Sequence, residues 1–292
     1  MTKNILVYGA TGMLGQALMR EASKLGINVV GAARSGTHFS LDVCDDKALR
    51  DSINLVKPEI IINTVAITNL INCENNPGLA YQVNARSVGI MAECCQKIGA
   101  YFIQISTDHY FTNSRNAKHS ETDQVSLVNE YTRTKYAGEK FALVYPNSLV
   151  VRTNIVGFRG KTGFPTFLEW VMQTLERQTS FTLFDDFFTS SIDVKQFSSL
   201  LFSLLNKRPN QVLNLASREV FSKKKFIEAI AAKLGYTLSH AKTGSVLELS
   251  DVPRAESLGL DVTKAEAVLG YQLPTMDEVV EQLISEYKER LQ

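Results

Sequence analysis

The chain has 292 residues, 45% of them hydrophobic, with 31 basic against 30 acidic side chains and a net charge of +1. That is enough for one large core, or a core and a smaller cap, and the scattered charge leaves no electrostatic footprint for nucleic acid or an anionic membrane. No apolar run reaches the roughly 18 residues of a membrane span, and the first apolar stretch, Ile5–Tyr8, is too short for a signal peptide.

In chain order, strands are expected at Asn4–Tyr8, Asn28–Ala33, Ile60–Val65, Tyr101–Ser106 and Ser148–Thr153. Helices are expected near Leu14–Leu25, Asp46–Val56, Gly78–Ile98 and Tyr131–Tyr145. Strands apolar throughout and separated by helices imply a parallel sheet covered on both faces, the doubly wound Rossmann-type α/β fold. After Gly157 the order loosens. Helices are expected at Thr166–Arg177 (carrying Trp170, read as core in preference to a base-stacking platform), Val194–Leu205, Ser222–Leu234, Thr263–Leu269 and Met276–Leu291, with one strand at Gln211–Ala216. Lys223-Lys224-Lys225 is expected to open a solvated helix. Residues 1–157, with a return segment at about 187–235, are expected to form the nucleotide-binding domain. Residues 158–186 and 236–292 are expected to form a smaller, discontinuous substrate-binding cap. Cys44, Cys73, Cys94 and Cys95 have neither CxxC nor Cys/His spacing and the four histidines are dispersed, so a reduced, cytoplasmic protein without a metal site is expected.

Gly9, Gly12 and Gly15 follow the strand Ile5–Tyr8 and open a helix. Such a turn lets backbone approach a pyrophosphate, which meets the free N–H groups and dipole of the helix N-terminus. Thr11, Met13 and Leu14 belong to the same turn. A dinucleotide site for NAD usually carries an acid at the end of the second strand. Here no acid occurs between Glu21 and Asp42; the strand ends on Arg34, followed by Ser35, Thr37 and His38. A guanidinium there suits a 2′-phosphate, so NADPH/NADP is the expected cofactor, with NADH as the alternative. Asp42 and Val43 are expected at the adenine, and Val65 and Ala66 near the ribose and nicotinamide. Asn84 is a polar residue on a packed helix, read either as a tie to the active site or as a simple helix bend.

Tyr131 and Lys135 lie four residues apart in EYTRTKYAGEK, so they share a helix face. An ammonium beside a phenol favours the phenolate and makes the tyrosine an effective acid at a carbonyl oxygen. Thr107, at the end of the strand YFIQIS, can hydrogen-bond the same oxygen. Thr107, Tyr131 and Lys135 are the expected catalytic residues, and the last two also touch the cofactor. Substrate contacts are expected from Thr68, Thr107, Asp108 and Asn154, all at strand ends. Arg254 is expected to bind the diphosphate bidentately.

The segments GATGMLGQAL, LDVCD, NTVAIT…AYQVNA, ISTD, YTRTKYAGEK, VVRTNIVG and LDVTKAEAVLGYQLP resemble the extended short-chain dehydrogenase/reductase superfamily, and within it the dTDP-4-dehydrorhamnose reductase (RmlD-like) family. The resemblance runs almost end to end. It implies a Thr107/Tyr131/Lys135 triad and NADPH-dependent reduction of the 4-keto group of a nucleotide-linked deoxysugar, by a monomer or homodimer whose partner is that sugar nucleotide. Departures fall on the sugar side: His109-Tyr110 after STD, Ile67-Thr68 and Leu70-Ile71 after the fourth strand, and Asn154-Ile155 after Arg152-Thr153. They leave open which 4-keto-6-deoxy or amino sugar is used. Epimerase, dehydratase and a non-catalytic NADP-binding regulatory subunit are the other functions the superfamily offers.

Overall fold

A computed structural model describes residues 4–249 and 251–291; Ser250, at the head of the Pro-punctuated SDVPRAESLGLD segment, lies outside the described residues. Contacts divide the chain into two units: Met1–Thr107, Leu127–Arg152 and Ser198–Leu213 in the first; Asp108–Ser126, Thr153–Phe197 and Asn214–Gln292 in the second.

The first unit alternates β1 (Ile5–Tyr8), α1 (Met13–Lys24), β2 (Val29–Ala33), β3 (Phe39–Ser40), α2 (Asp46–Val56), β4 (Ile60–Asn63), α3 (Leu70–Asn75), α4 (Pro77–Tyr81), α5 (Ser87–Ile98), β5 (Tyr101–Ile105), α6 (Glu130–Leu143) and β6 (Ser148–Arg152). The sheet runs β3-β2-β1-β4-β5-β6, with the strand Gln211–Asn214 beyond β6. Every pairing among β1–β6 is parallel. This is the Rossmann order, whose ligands bind beyond the carboxyl ends of the strands. β1, β4, β5 and β6 are buried along their whole length, which is why they read as mainly apolar runs, with the few polar members, Asn63, Gln104, Ser148 and Arg152, buried too. Their side chains meet Leu49, Ile53, Val88, Met91 and Cys95 from α2 and α5 in one core. Burying each large apolar side chain contributes about 1.5–3 kcal/mol.

The expected Gly78–Ile98 helix is interrupted. Gln82–Arg86 forms a π-turn between α4 and α5, a rare single-turn bulge that often marks functional sites. Asn84 sits in it.

The second unit is made of short pieces. Phe181–Phe184 pairs in parallel with Ala241–Gly244, Phe188–Thr189 is flanked by Phe221–Ser222 and Ser257–Leu258, and Ile155–Val156 pairs with Ile192–Asp193. Helices Phe167–Arg177, Lys223–Leu234, Thr263–Leu269 and Met276–Leu291 accompany them. Trp170 corrects the core reading: it is exposed, tilted against Phe167 and edge-on to Phe181. Among the described residues no helix is long and apolar enough to cross a membrane.

Candidate active site

In the first unit, the glycine turn places Gly9 at φ +84°, a left-handed conformation favouring glycine. A Cβ there would run into Thr64 Oγ1 and the Val65 side chain. Gly12 is the N-cap of α1 and offers no side-chain cap, and the first turn, beginning Met13-Leu14, holds no acid. Uncapped N–H groups at the start of a twelve-residue helix are what an anionic pyrophosphate requires. Thr11 is exposed at the lip of the turn.

Arg34 and Ser35 are exposed directly beyond β2. The Thr37 hydroxyl is spent on the Phe39 carbonyl (2.8 Å), and Gly31 N–H donates to His38 Nδ1 (3.4 Å), so both side chains shape the loop after Arg34. Asp42 is exposed and accepts from Cys44 N–H through Oδ1 (2.9 Å), while Val43 is buried against the core. Beyond β4, Val65 and Ala66 are half-buried; Val65 N–H donates to Asn63 Oδ1 (3.1 Å) and Asn63 donates to Gln104 Oε1 (2.8 Å).

α6 starts from a capping box built by Asn129 and Thr132, which sequence reading missed although the Asn-x-x-Thr spacing carries the signal. This cap sets Tyr131 in the first turn, only 7% exposed and packed with Cys73 and Ala80. One turn on, Lys135 is buried and donates from Nζ to the Ile105 carbonyl, 2.7 Å, at the end of β5. Thr107 lies two residues beyond that carbonyl and is itself buried. Burial pulls the Lys135 ammonium down to about 8, partly opposed by the Glu139 carboxylate. If the ammonium is the working form, turnover should fall as pH rises through about 8; a pH–rate profile with no such limb below the ordinary lysine value of about 10.4 would contradict this.

Two further contacts support this arrangement, the first at a residue the sequence had singled out and the second not read from it. Asn84 accepts from Ile67 N–H (2.8 Å), and its amide donates to the Ile67 carbonyl (3.0 Å) and Thr134 Oγ1 (3.1 Å). It thus ties the loop after β4 to α6, which favours the tie over the simple bend. Gly138 permits this close approach, since a Cβ there would strike the Asn84 carbonyl oxygen. Glu139, one turn after Lys135, takes two hydrogen bonds from Arg152 (Nε 3.0 Å, NH2 2.9 Å) and one from Ser106 Oγ (2.6 Å), all buried. The pair pins α6 to β6 and to the residue before Thr107.

In the second unit, Asp108 is 1% exposed and accepts from Asn154 Nδ2 at 2.7 Å. His109 is held neutral, pushed down to about 4 by burial first and then by the Lys223 and Arg254 charges. Arg254 donates to both Asp251 carboxylate oxygens (2.7 and 2.5 Å), while its Nε is buried without a hydrogen-bond partner. Lys223 corrects the solvated reading of the Lys223–Lys225 run: it is half-buried, 3.3 Å from Ser191 Oγ and 4.4 Å from the Phe167 ring centroid. Thr68, in the first unit, is exposed in the loop before α3.

The RmlD substrate binding domain profile matches residues 2–289. The chain belongs to that family. It is 28% identical over 285 residues to the Haloferax volcanii protein named "Probable low-salt glycan biosynthesis reductase Agl14", covering 93% of this chain and 94% of that one. It is 34% identical over 160 residues to the dTDP-4-dehydrorhamnose reductase of Salmonella typhimurium, a match spanning 54% of this chain and 52% of that enzyme. The crystal structure of dTDP-4-dehydrorhamnose reductase from Bacillus anthracis, a complex with NADP, superimposes with a TM-score of 0.88 at 22% identity, covering 98% of this chain and all of that one. At that identity the likeness speaks for the fold.

Proposed function

We propose that this protein is an NADPH-dependent reductase of a nucleotide-linked 4-keto-6-deoxysugar, with Tyr131 as proton donor to the C4 oxygen. The observation that carries the reading is Lys135. A lysine buried on α6 and anchored to the Ile105 carbonyl stands one turn after Tyr131, beside the end of β5, two residues before Thr107. A surface helix would leave both side chains in water.

NADPH, when bound, supplies the hydride. The first unit fits it: the Gly9–Gly15 turn and the bare N-terminus of α1 take the pyrophosphate, and Arg34 with Ser35 takes the 2′-phosphate. Asp42 and Val43 lie at the adenine, and Val65 and Ala66 at the ribose and nicotinamide. Tyr131 gives its proton to the carbonyl oxygen as the alkoxide develops, Thr107 donates a hydrogen bond to that oxygen, and the Lys135 ammonium stabilises the phenolate left behind. Sugar-nucleotide contacts come from Thr68 and from Asp108, Asn154 and Arg254, Asp108 acting through Asn154 because it is buried. His109 supports reduction over dehydration, because the dehydratases of the superfamily carry a glutamate at that position, directly after the Thr-Asp pair. Arg34, where an epimerase carries an acid to retain NAD, supports NADPH.

The test is NADPH oxidation, followed by absorbance, with a panel of nucleotide-linked 4-keto-6-deoxysugars; oxidation with none of them sinks the proposal. Arg34→Ala should weaken NADPH by roughly tenfold or more, the loss of a charge-assisted contact worth about 1.5–3 kcal/mol, and leave NADH nearly unchanged. Equal losses for the two nucleotides would remove Arg34 from the cofactor site. Arg254→Ala should raise KM for the sugar nucleotide several-fold with NADPH affinity kept; an unmoved KM places the diphosphate elsewhere.

A further inference from the structure

The second unit contains a directed row of polar side chains drawn from distant parts of the chain. Asn154 donates to Asp108 (2.7 Å) and accepts the Ser191 hydroxyl proton on Oδ1 (2.9 Å). With its one proton committed, Ser191 Oγ can only accept from its other two neighbours, the Thr189 hydroxyl at 3.0 Å and the Lys223 ammonium at 3.3 Å. The row thus has a fixed polarity, and Lys223 is its donor end. The Lys223 ammonium also lies over the faces of Phe167 and Phe187, at 4.4 and 6.0 Å from the ring centroids. Its charge is opposed by Asp108, which lifts its proton affinity against the lowering caused by burial.

An ammonium has three N–H donors, and one directed at Ser191 leaves donors for a ligand. Asp108 is sealed from solvent whereas Lys223 is half-buried, so Lys223 is the member of the pair that a ligand reaches. The buried Asp108 carboxylate, at the far end of the same row, offsets part of the ammonium's attraction for an anion. It leaves a strong donor for a neutral oxygen, held beside the Phe167 and Phe187 rings.

Resting on the sugar-nucleotide reading above, we infer that Lys223 reads the sugar, donating a hydrogen bond to a hydroxyl of a neutral hexose, with Asp108, Asn154 and Ser191 as the positioning residues that aim it. The Lys223 contact is made to the sugar and not to the diphosphate, whose double charge the Asp108 carboxylate would oppose.

Calorimetric titration with dTDP-rhamnose, with dTDP alone and with NADPH separates these roles. Lys223→Met should weaken dTDP-rhamnose by roughly ten- to hundredfold, the range for losing a hydrogen bond from a charged donor, and leave dTDP and NADPH unchanged. Lys223→Arg keeps a cation opposite Asp108 and so preserves the fold if the methionine variant does not; it should still weaken dTDP-rhamnose several-fold with dTDP unchanged. Equal weakening of dTDP and dTDP-rhamnose would put Lys223 on the nucleotide or diphosphate and overturn the inference, as would wild-type affinity for dTDP-rhamnose in the folded variants. A wild-type protein that binds dTDP-rhamnose but oxidises NADPH with no 4-keto sugar nucleotide sinks the reductase reading alone, with the Lys223 comparison still readable. One that binds neither dTDP-rhamnose nor UDP-glucose overturns both.

Discussion

Tyr131→Phe is expected to cut turnover by about 10²- to 10⁴-fold, the usual contribution of a positioned acid, while NADPH still binds. The phenylalanine ring preserves the packing against Cys73 and Ala80, and the Asn129 cap that orients the first turn of α6 is untouched. Only the proton is removed. A variant with near-normal turnover would show that the Tyr131 and Lys135 pair is not used in catalysis, and would favour an NADP-binding subunit without chemistry of its own. Steady-state kinetics with a saturating sugar nucleotide distinguish the two.

The second large effect is on stability. Glu139→Ala strips the carboxylate from a guanidinium that is 3% exposed, and breaking a buried ion pair from one side costs about 3–5 kcal/mol. Replacing both partners by methionine should recover much of that loss, since a buried pair traded for apolar side chains is often near neutral. Chemical denaturation measures both. A single-variant loss below about 1 kcal/mol, typical of exposed pairs, would mean that the Glu139–Arg152 pair is solvated in solution. Because Ser106 Oγ also donates to Glu139, the single variant should loosen the strand end that carries Thr107 as well.

The alternation of apolar strands with amphipathic helices made the first unit legible in the sequence, because each buried parallel strand must be apolar on both faces and each covering helix on one. The glycine turn and the Tyr131–Lys135 spacing were legible for a similar reason: their geometry is local. What the sequence hid is nonlocal. Lys223 looks like one of three solvated lysines, and only the return of Asp108, 115 residues earlier, and of Ser191 beside it makes it different. Glu139 reads as an ordinary exposed position in AGEKF until Arg152 from β6 is brought across it. The strands Ala241–Gly244 and Ser257–Leu258 are short and contain Lys, Gly and Ser, so neither periodicity nor β-propensity marks them. The π-turn at Gln82–Arg86 breaks no sequence rule, and Asn84 was its sole hint.

The central claim is hydride transfer to the sugar C4, and deuterium tests it most directly. The protein is incubated with a nucleotide-linked 4-keto-6-deoxysugar and NADPH deuterated at the reactive C4 of the nicotinamide, on the face the enzyme uses. The sugar product is then examined by mass spectrometry and proton NMR. The account predicts one deuterium per product, located at the sugar C4, with the label lost from NADPH in step. A product without deuterium at C4, or nucleotide bound and never consumed, would contradict it.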